Sequence, residues 1–410
     1  MQHPIDRRQQ FSTAIIFGLP LGALTTSFGM TLIQFLILLS VAWWARDGIA
    51  VWYRRNGSKL SWIIVAFTGY FVVSLLRALI NHQGTETVDG PSRMLFALSC
   101  IGFVAWCRPS RDCFWLGLCF GTIGAALIAC LQRFFLHMER VEGYAHHPIT
   151  FGNLALVMGL ISLCALYDWR TKSRLVYLPY LAFFCGVLSS ILSGSRGGWL
   201  ALVLLMPLMF LVLRAGRAGA VVLVISALMV LVYHFPGSGV AARLQDAVSD
   251  VRLYVDVHEL NTNVGIRLEL WKASWLMFTE HPWVGVGRDQ FHAALLQLAA
   301  QGEVKQSQAL IHYSSHNDAL NFLATGGLLD FSFLVLLYGA PFMFFLRVWR
   351  AGDPAVRGPA MGGLILVLSF IGFGLTDVMF WLMMTNVFYV MMTGVLVGFC
   401  MQQNSLQIVQ

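Results

Sequence analysis

The sequence predicts an all-α integral membrane protein of about twelve transmembrane helices, with one large extramembrane loop that contains amphipathic helices. Three observations predict it. The composition is too apolar for a soluble domain, apolar runs near 20 residues recur along the chain, and basic segments alternate regularly between those runs. Of the 410 residues, 58% are hydrophobic and 11% charged, whereas soluble domains carry about 25% charged residues. Each run is long enough to cross about 30 Å of hydrocarbon as a helix. Lipid offers backbone groups no partners, which leaves helices or a closed barrel. Barrel strands alternate apolar and polar residues, and these runs do not.

In chain order the spans fall near 11–28, 29–45, 60–80, 93–107, 113–136, 150–167, 176–193, 198–213, 218–235, 320–346, 359–376 and 381–401. The excess of Lys and Arg on inner segments tests that count independently. With the N-terminus inside, the inner segments hold Arg7 and Arg8; Arg46, Arg54, Arg55 and Lys59; Arg108 and Arg111; Arg170, Lys172 and Arg174; Arg214 and Arg217; and Arg347, Arg350 and Arg357. The short outer segments hold only Arg77, Arg93, Arg133, Arg140 and Arg196. Both termini are therefore expected inside. The organisation is residues 1–235 as nine helices, 236–319 as the outer loop, and 320–410 as three helices with a short inner tail. The N-terminus shows no cleavable signal, because Arg7 and Arg8 precede an apolar run too long for one and no A-x-A site follows.

The net charge of +7 follows from this topology and does not imply nucleic-acid binding. Within 236–319, six basic residues face nine acidic ones, so an anion site there must come from a few placed arginines. Eight cysteines, Cys100, Cys107, Cys113, Cys119, Cys130, Cys164, Cys185 and Cys400, lie in or beside apolar runs with no CxxC pair. Neither a disulfide framework nor a zinc site is suggested.

Four elements on the outer side could carry chemistry. In Ile311-His312-Tyr313-Ser314-Ser315-His316-Asn317-Asp318, Ser315 followed by Asp318 reads as a capping box opening the tenth span. His316 is then expected in the first helical turn, where the positive end of the helix dipole disfavours the imidazolium. A neutral imidazole there is a natural general base; a capping or headgroup-binding histidine is the alternative. In 263–278, Leu268, Trp271, Trp275 and Phe278 fall on one helical stripe suited to an interface. Arg267 sits in that helix's first turn. Pro282 ends the pattern, and Gly285-Val286-Gly287-Arg288-Asp289 follows. It is no dinucleotide fingerprint, because the third glycine and the preceding strand are absent, but it lets backbone and Arg288 approach a phosphate.

Third, Ser193-Gly194-Ser195-Arg196-Gly197-Gly198 is a short hairpin whose glycines permit an anion-binding nest; Arg196 could equally just anchor a span. Fourth, His146-His147 could bind metal, as could Asp256-Val257-His258-Glu259, but adjacent loop histidines rarely share one ion and the acidic cluster lacks partners. No metal is expected. Asp377, in the last outer hairpin, is an acidic residue at membrane depth that is expected to pair with an arginine.

The order of these elements is more specific than any one of them. Arg267-Leu268-Glu269-Leu270-Trp271-Lys272-Ala273, His281-Pro282-Trp283-Val284-Gly285-Val286-Gly287, Ser315-His316-Asn317-Asp318 and Ala324-Thr325-Gly326-Gly327-Leu328 together resemble the O-antigen ligase and polymerase superfamily of envelope glycosyltransferases. Arg196 in Ser-Arg-Gly-Gly fits an arginine common before a middle span there. Asp330, inside a span, stands outside the pattern. The resemblance implies a GT-C-like membrane fold in the bacterial inner membrane, with a periplasmic active site. The implied partners are an undecaprenyl-pyrophosphate-linked O-antigen donor, a lipid A-core acceptor and membrane lipids. No cofactor is implied, since the donor's sugar–pyrophosphate bond already carries the activation. Arg196, Arg267 and Arg288 are the implied pyrophosphate ligands, and His316 the base in a metal-independent, inverting displacement. Asn317, Asp318, Tyr313 and His147 form a second tier.

Within the superfamily the ligase is preferred. The protein O-oligosaccharyltransferases usually run on into a long outer domain, and the polymerases tend to have two sizeable outer loops. A transporter would need several intramembrane charges and often a repeat, and neither is seen.

Overall fold

A computed structural model describes residues 7–82, 84–169, 175–195, 197–212, 249–250, 256 and 260–402. Every regular element among them is helical. Seven helical runs are long and apolar enough to cross a membrane: Gly29–Ile80, Glu86–Cys107, Arg111–Phe135, Pro148–Trp169, Asp318–Arg350, Pro354–Gly374 and Met383–Met401. The expected first span forms Arg7–Thr25, with Pro20 inside it. Those at 176–193 and 198–213 form the shorter helices Tyr177–Ser193 and Gly197–Val212. The span expected at 218–235 lies outside the described residues.

One inner segment differs from expectation. Residues 46–59 read as a basic loop, yet Arg46–Asn56 is helical, and Gly29–Ile80 is one run of 52 residues. The reason is amphipathicity without a proline. Ile49 and Trp52, three apart on one face, are buried, while Arg54 and Arg55 on another are exposed. The charges that suggested a loop are the solvated side of a helix.

The chain divides into two compact units. The first comprises Met1–Ala201, Leu336–Ile371 and Phe380–Gln410. Its helices approach closely where side chains are small, as membrane helices do. A Cβ on Gly117 or Gly121 would overlap the backbone carbonyls of Phe17 and Pro20 respectively, so Arg111–Cys130 lies directly on Arg7–Thr25. Buried indoles are satisfied by carboxylates: Trp115 Nε1 donates to Asp168 Oδ2 at 2.7 Å and Trp169 Nε1 to Asp112 Oδ1 at 2.8 Å.

The second unit comprises Leu202–Val335 and Gly372–Met379. Its helix Asn263–Glu280 starts at Thr262, whose hydroxyl accepts from the Gly265 N–H at 3.0 Å. Leu270, Ala273 and Met277 pack with Phe291, Leu295 and Leu298 of the next helix, Phe291–Ala300, and with Val304, Ala309 and Ala324. The buried stripe runs beside that of Leu268, Trp271, Trp275 and Phe278, none of which is fully buried. Trp275 is 53% exposed and rests beside Phe278 at 5.4 Å between ring centroids. The helix carries two neighbouring apolar stripes, and periodicity alone does not say which one the protein covers.

The helix Asp318–Arg350 is broken at Gly327, which adopts φ 62° and ψ −159°. A break strips neighbouring peptide groups of their helical partners, and apolar surroundings make that costly unless another segment supplies them. Here the turn after Asn263–Glu280 does so. Val286 and Gly287 N–H donate to the Ala324 and Thr325 carbonyls at 2.9 and 3.0 Å. Leu328 and Leu329 N–H donate to the Pro282 and Trp283 carbonyls at 2.8 and 3.3 Å. The Gly-Val-Gly turn is therefore a splint for the broken helix, a use the sequence did not suggest. The break also accounts for Asp330. The carboxylate folds over Gly326, where a Cβ would overlap it, in the first turn of the restarted helix, where negative charge is favoured.

Gly327→Ala is expected to destabilise the protein by about 3 kcal/mol or more. The backbone region is one that only glycine occupies without strain, and the added Cβ would overlap the Trp283 main chain. Thermal unfolding of the detergent-solubilised protein checks this; an unchanged midpoint would contradict it.

Candidate active site

The helix Asp318–Arg350 is opened by Asn317, not by Ser315. Asn317 Oδ1 accepts from the Leu320 N–H at 3.0 Å, which is the N-cap bond. Ser315 Oγ instead donates to the Asn317 carbonyl at 2.7 Å, and its own N–H donates to Asn321 Oδ1 at 3.3 Å. The expected capping box does not form, because the asparagine two residues later makes the better-placed cap. His316 consequently sits before the helix rather than in its first turn, with left-handed backbone at φ 50°.

That backbone turn aims the imidazole at two partners. Nδ1 lies 3.3 Å from Asp377 Oδ1 and Nε2 lies 3.2 Å from His312 Nδ1. The two imidazoles meet edge to face, 5.0 Å between centroids at 81°. Asp377 is 1% exposed, and its neighbours hold it in place. Asp318 Oδ1 accepts from the Met379 N–H at 2.8 Å, and Asn317 Nδ2 donates to the Leu375 carbonyl at 3.1 Å. Asn317 and Asp318 thus clamp the 375–379 segment beside His316. Asp377 lies in the field of an arginine, Arg267, and also meets the histidine directly.

Arg267 completes the cluster. Burial holds its guanidinium below the ordinary value, and the Asp377 carboxylate works against that. Among the described residues no carboxylate lies within ion-pair distance of Arg267. Burial also lowers the His312 pKa, with the charges of His316 and Arg267 adding to the effect. Four groups therefore share one electrostatic site: Arg267, His312, His316 and Asp377. Two further contacts fix the loop. Trp271 Nε1 donates to the Ser315 carbonyl at 3.1 Å, and His292 Nδ1 donates to the His312 carbonyl at 3.1 Å. Tyr313 is 65% exposed, its ring stacked on His292 at 4.4 Å.

Arg288 follows the splint turn directly, one turn of chain before His292. His147 belongs to the first unit, where Nδ1 caps the helix Pro148–Ser162 by accepting from the Thr150 N–H at 3.4 Å. That bond holds the start of the helix. Arg196 lies outside the described residues, as do Val257, His258 and Glu259. Next to Arg196, Ser195 Oγ donates to Asn153 Oδ1 at 2.8 Å, burying the start of that hairpin in the first unit. Among the described residues no group of three His, Cys, Asp or Glu is arranged to hold a metal ion.

The sequence assigned no role to His312 and did not show that Asp377 meets His316. His312 carried a signal, being four residues before His316 in the same motif. Asp377 carried none for this pairing, since 61 residues separate it from His316.

Residues 181–335 match the family model described as O-antigen ligase. Over 297 residues the chain is 25% identical to the O-antigen ligase of Pseudomonas aeruginosa, covering 70% of this chain and 65% of that protein. Over 315 residues it is 22% identical to an uncharacterized protein of Haemophilus influenzae, covering 75% of this chain and 78% of that one.

Proposed function

We propose, from the premise that residues 181–335 make this chain a member of the O-antigen ligase family, that it transfers O-antigen from undecaprenyl pyrophosphate to lipid A-core. The reaction is placed at the periplasmic face of the inner membrane. The observation that supports this most is the meeting of an arginine and a carboxylate-backed histidine in one unit, on residues far apart in sequence.

The acceptor hydroxyl attacks the anomeric carbon, and the bond to the pyrophosphate oxygen breaks with its electron pair. Charge develops on the departing diphosphate. A guanidinium presents paired donors that match phosphate oxygens, and Arg267 has no carboxylate partner among the described residues to compete for them. Arg288 and Arg196 are the further ligands of this reading. Placed charge of this kind lowers the barrier where the charge appears; one donor is worth about 3 kcal/mol. His316 is the general base, and Asp377 stabilises the imidazolium that results. Backside attack inverts the anomeric configuration.

Purified protein in detergent is expected to move glycan from an undecaprenyl-pyrophosphate donor to lipid A-core, at a rate unaffected by EDTA. A strain lacking the protein is expected to accumulate long glycan on the lipid carrier. Single repeats on lipid A-core would indicate a polymerase instead, and activity lost in chelator but restored by a divalent ion would indicate a metal site.

A further inference from the structure

Both ring nitrogens of His316 are occupied. Nδ1 faces Asp377 Oδ1 at 3.3 Å and Nε2 faces His312 Nδ1 at 3.2 Å. A hydroxyl arriving at this site finds no vacant nitrogen on the residue that is to receive its proton.

The carboxylate settles the proton positions along the chain. A carboxylate only accepts, so His316 Nδ1 carries the hydrogen it donates to Asp377. A neutral His316 then has a bare Nε2, which needs a donor. The donor is His312 Nδ1–H. A neutral His312 with hydrogen on Nδ1 has its lone pair on Nε2. That is the one ring nitrogen of the pair for which no partner occurs among the described residues. His312 is only partly buried, as is His316, whereas Asp377 at the other end is fully buried.

We infer that His312 is a catalytic residue: its Nε2 meets the acceptor hydroxyl, and the proton is relayed through the pair to His316. This rests on the ligase reading above. As the acceptor oxygen bonds to the anomeric carbon, and the carbon–oxygen bond to the diphosphate breaks, the hydroxyl proton passes to His312 Nε2. The Nδ1 proton of His312 moves to His316 Nε2. His316 becomes the imidazolium, against the Asp377 carboxylate, and the diphosphate leaves with the electron pair. One proton enters the pair and is later released to solvent. The relay moves the positive charge off His312, where the field of Arg267 opposes a cation, and toward the only carboxylate in direct contact with the pair among the described residues. Burial and the neighbouring His316 and Arg267 likewise favour the neutral, proton-accepting form of His312.

The test compares three variants for transfer from an undecaprenyl-pyrophosphate glycan to lipid A-core, with folding monitored by monodispersity in detergent. His312→Gln is the informative one. Its amide can still donate to His316 Nε2 but cannot take up a proton. The expected results are a fall in kcat of about 100-fold for both His312→Gln and His312→Ala, with little change in acceptor KM, and partial rescue of His312→Ala by added imidazole. The wild-type rate should decline only below pH 6.5, the ordinary histidine value from which His312 is lowered, and that acidic limb should move in His312→Gln. The charged and titratable groups facing His312 are His316 and Arg267, with Asp377 behind, and His292, which meets its carbonyl from the helix Phe291–Ala300. Near-wild-type kcat and an unmoved limb in His312→Gln would overturn the relay while leaving His316 as a direct base. Full activity in His316→Ala would instead remove the ligase reading's base. Nitrogen-15 imidazole spectra of the unliganded protein give an answer independent of activity: hydrogen on Nδ1 of His312 supports the relay, and hydrogen on Nε2 overturns it.

Discussion

His316→Ala is expected to insert into the membrane like the wild type and to lose glycan transfer by about 10²–10⁴-fold. The structural cost should be small. The ring is partly exposed, with a side-chain accessibility of 26%, so its removal opens no large apolar cavity. The helix that follows keeps its cap, because that bond belongs to Asn317 and not to His316. The left-handed backbone at φ 50° is strained in alanine as it is in histidine, so the loop loses side-chain contacts more than conformation. What disappears is the group proposed above to hold the acceptor's proton. The measurement is capping of lipid A-core with O-antigen in cells, alongside protein level in the membrane fraction. Near-normal capping at normal protein level would refute the assignment.

Asp377→Asn is expected to lower kcat by about 10³-fold or more while both substrates bind with nearly unchanged KM. The substitution is isosteric, and Asn317 and Asp318 still hold the segment through the Leu375 carbonyl and the Met379 N–H. The chemistry changes because an amide can donate as well as accept. It no longer obliges His316 to carry hydrogen on Nδ1, and it cannot stabilise the imidazolium. Loss of an orienting carboxylate behind a catalytic histidine acts in this way elsewhere, through the wrong tautomer. Separate kcat and KM values for donor and acceptor decide the matter. A rise in donor KM with kcat unchanged would mean that Asp377 serves substrate binding and not the histidine.

These two residues mark where local reading stopped. His316 was legible because helix starts have a recognisable grammar, and the motif His-Asn-Asp lies at one. Yet the same grammar misled over the cap: Ser315 and Asn317 are both good cap residues, and only the backbone path chose between them. Arg267 was legible as a cation at the start of a tryptophan-rich helix, although not that it would be partly buried with no carboxylate within ion-pair distance among the described residues. The turn Gly285-Val286-Gly287 was read for its freedom to approach a ligand. Its amides are committed to the broken helix instead, and no local pattern encodes a partner some 40 residues away.

From the sequence alone came the all-helical membrane character, the position of most long apolar helices and the order of motifs in the loop. These follow from hydrocarbon thickness and from contiguous runs of residues, which are one-dimensional quantities. The tertiary structure alone decided that Asp377 backs His316 on one side and His312 meets it on the other, and that Gly327 and Asp330 belong to a helix interrupted and restarted. Each is a meeting of a few polar groups across a long stretch of chain. Such meetings are set by where helices end and what their freed backbone groups must find, and that is not written in any local spacing.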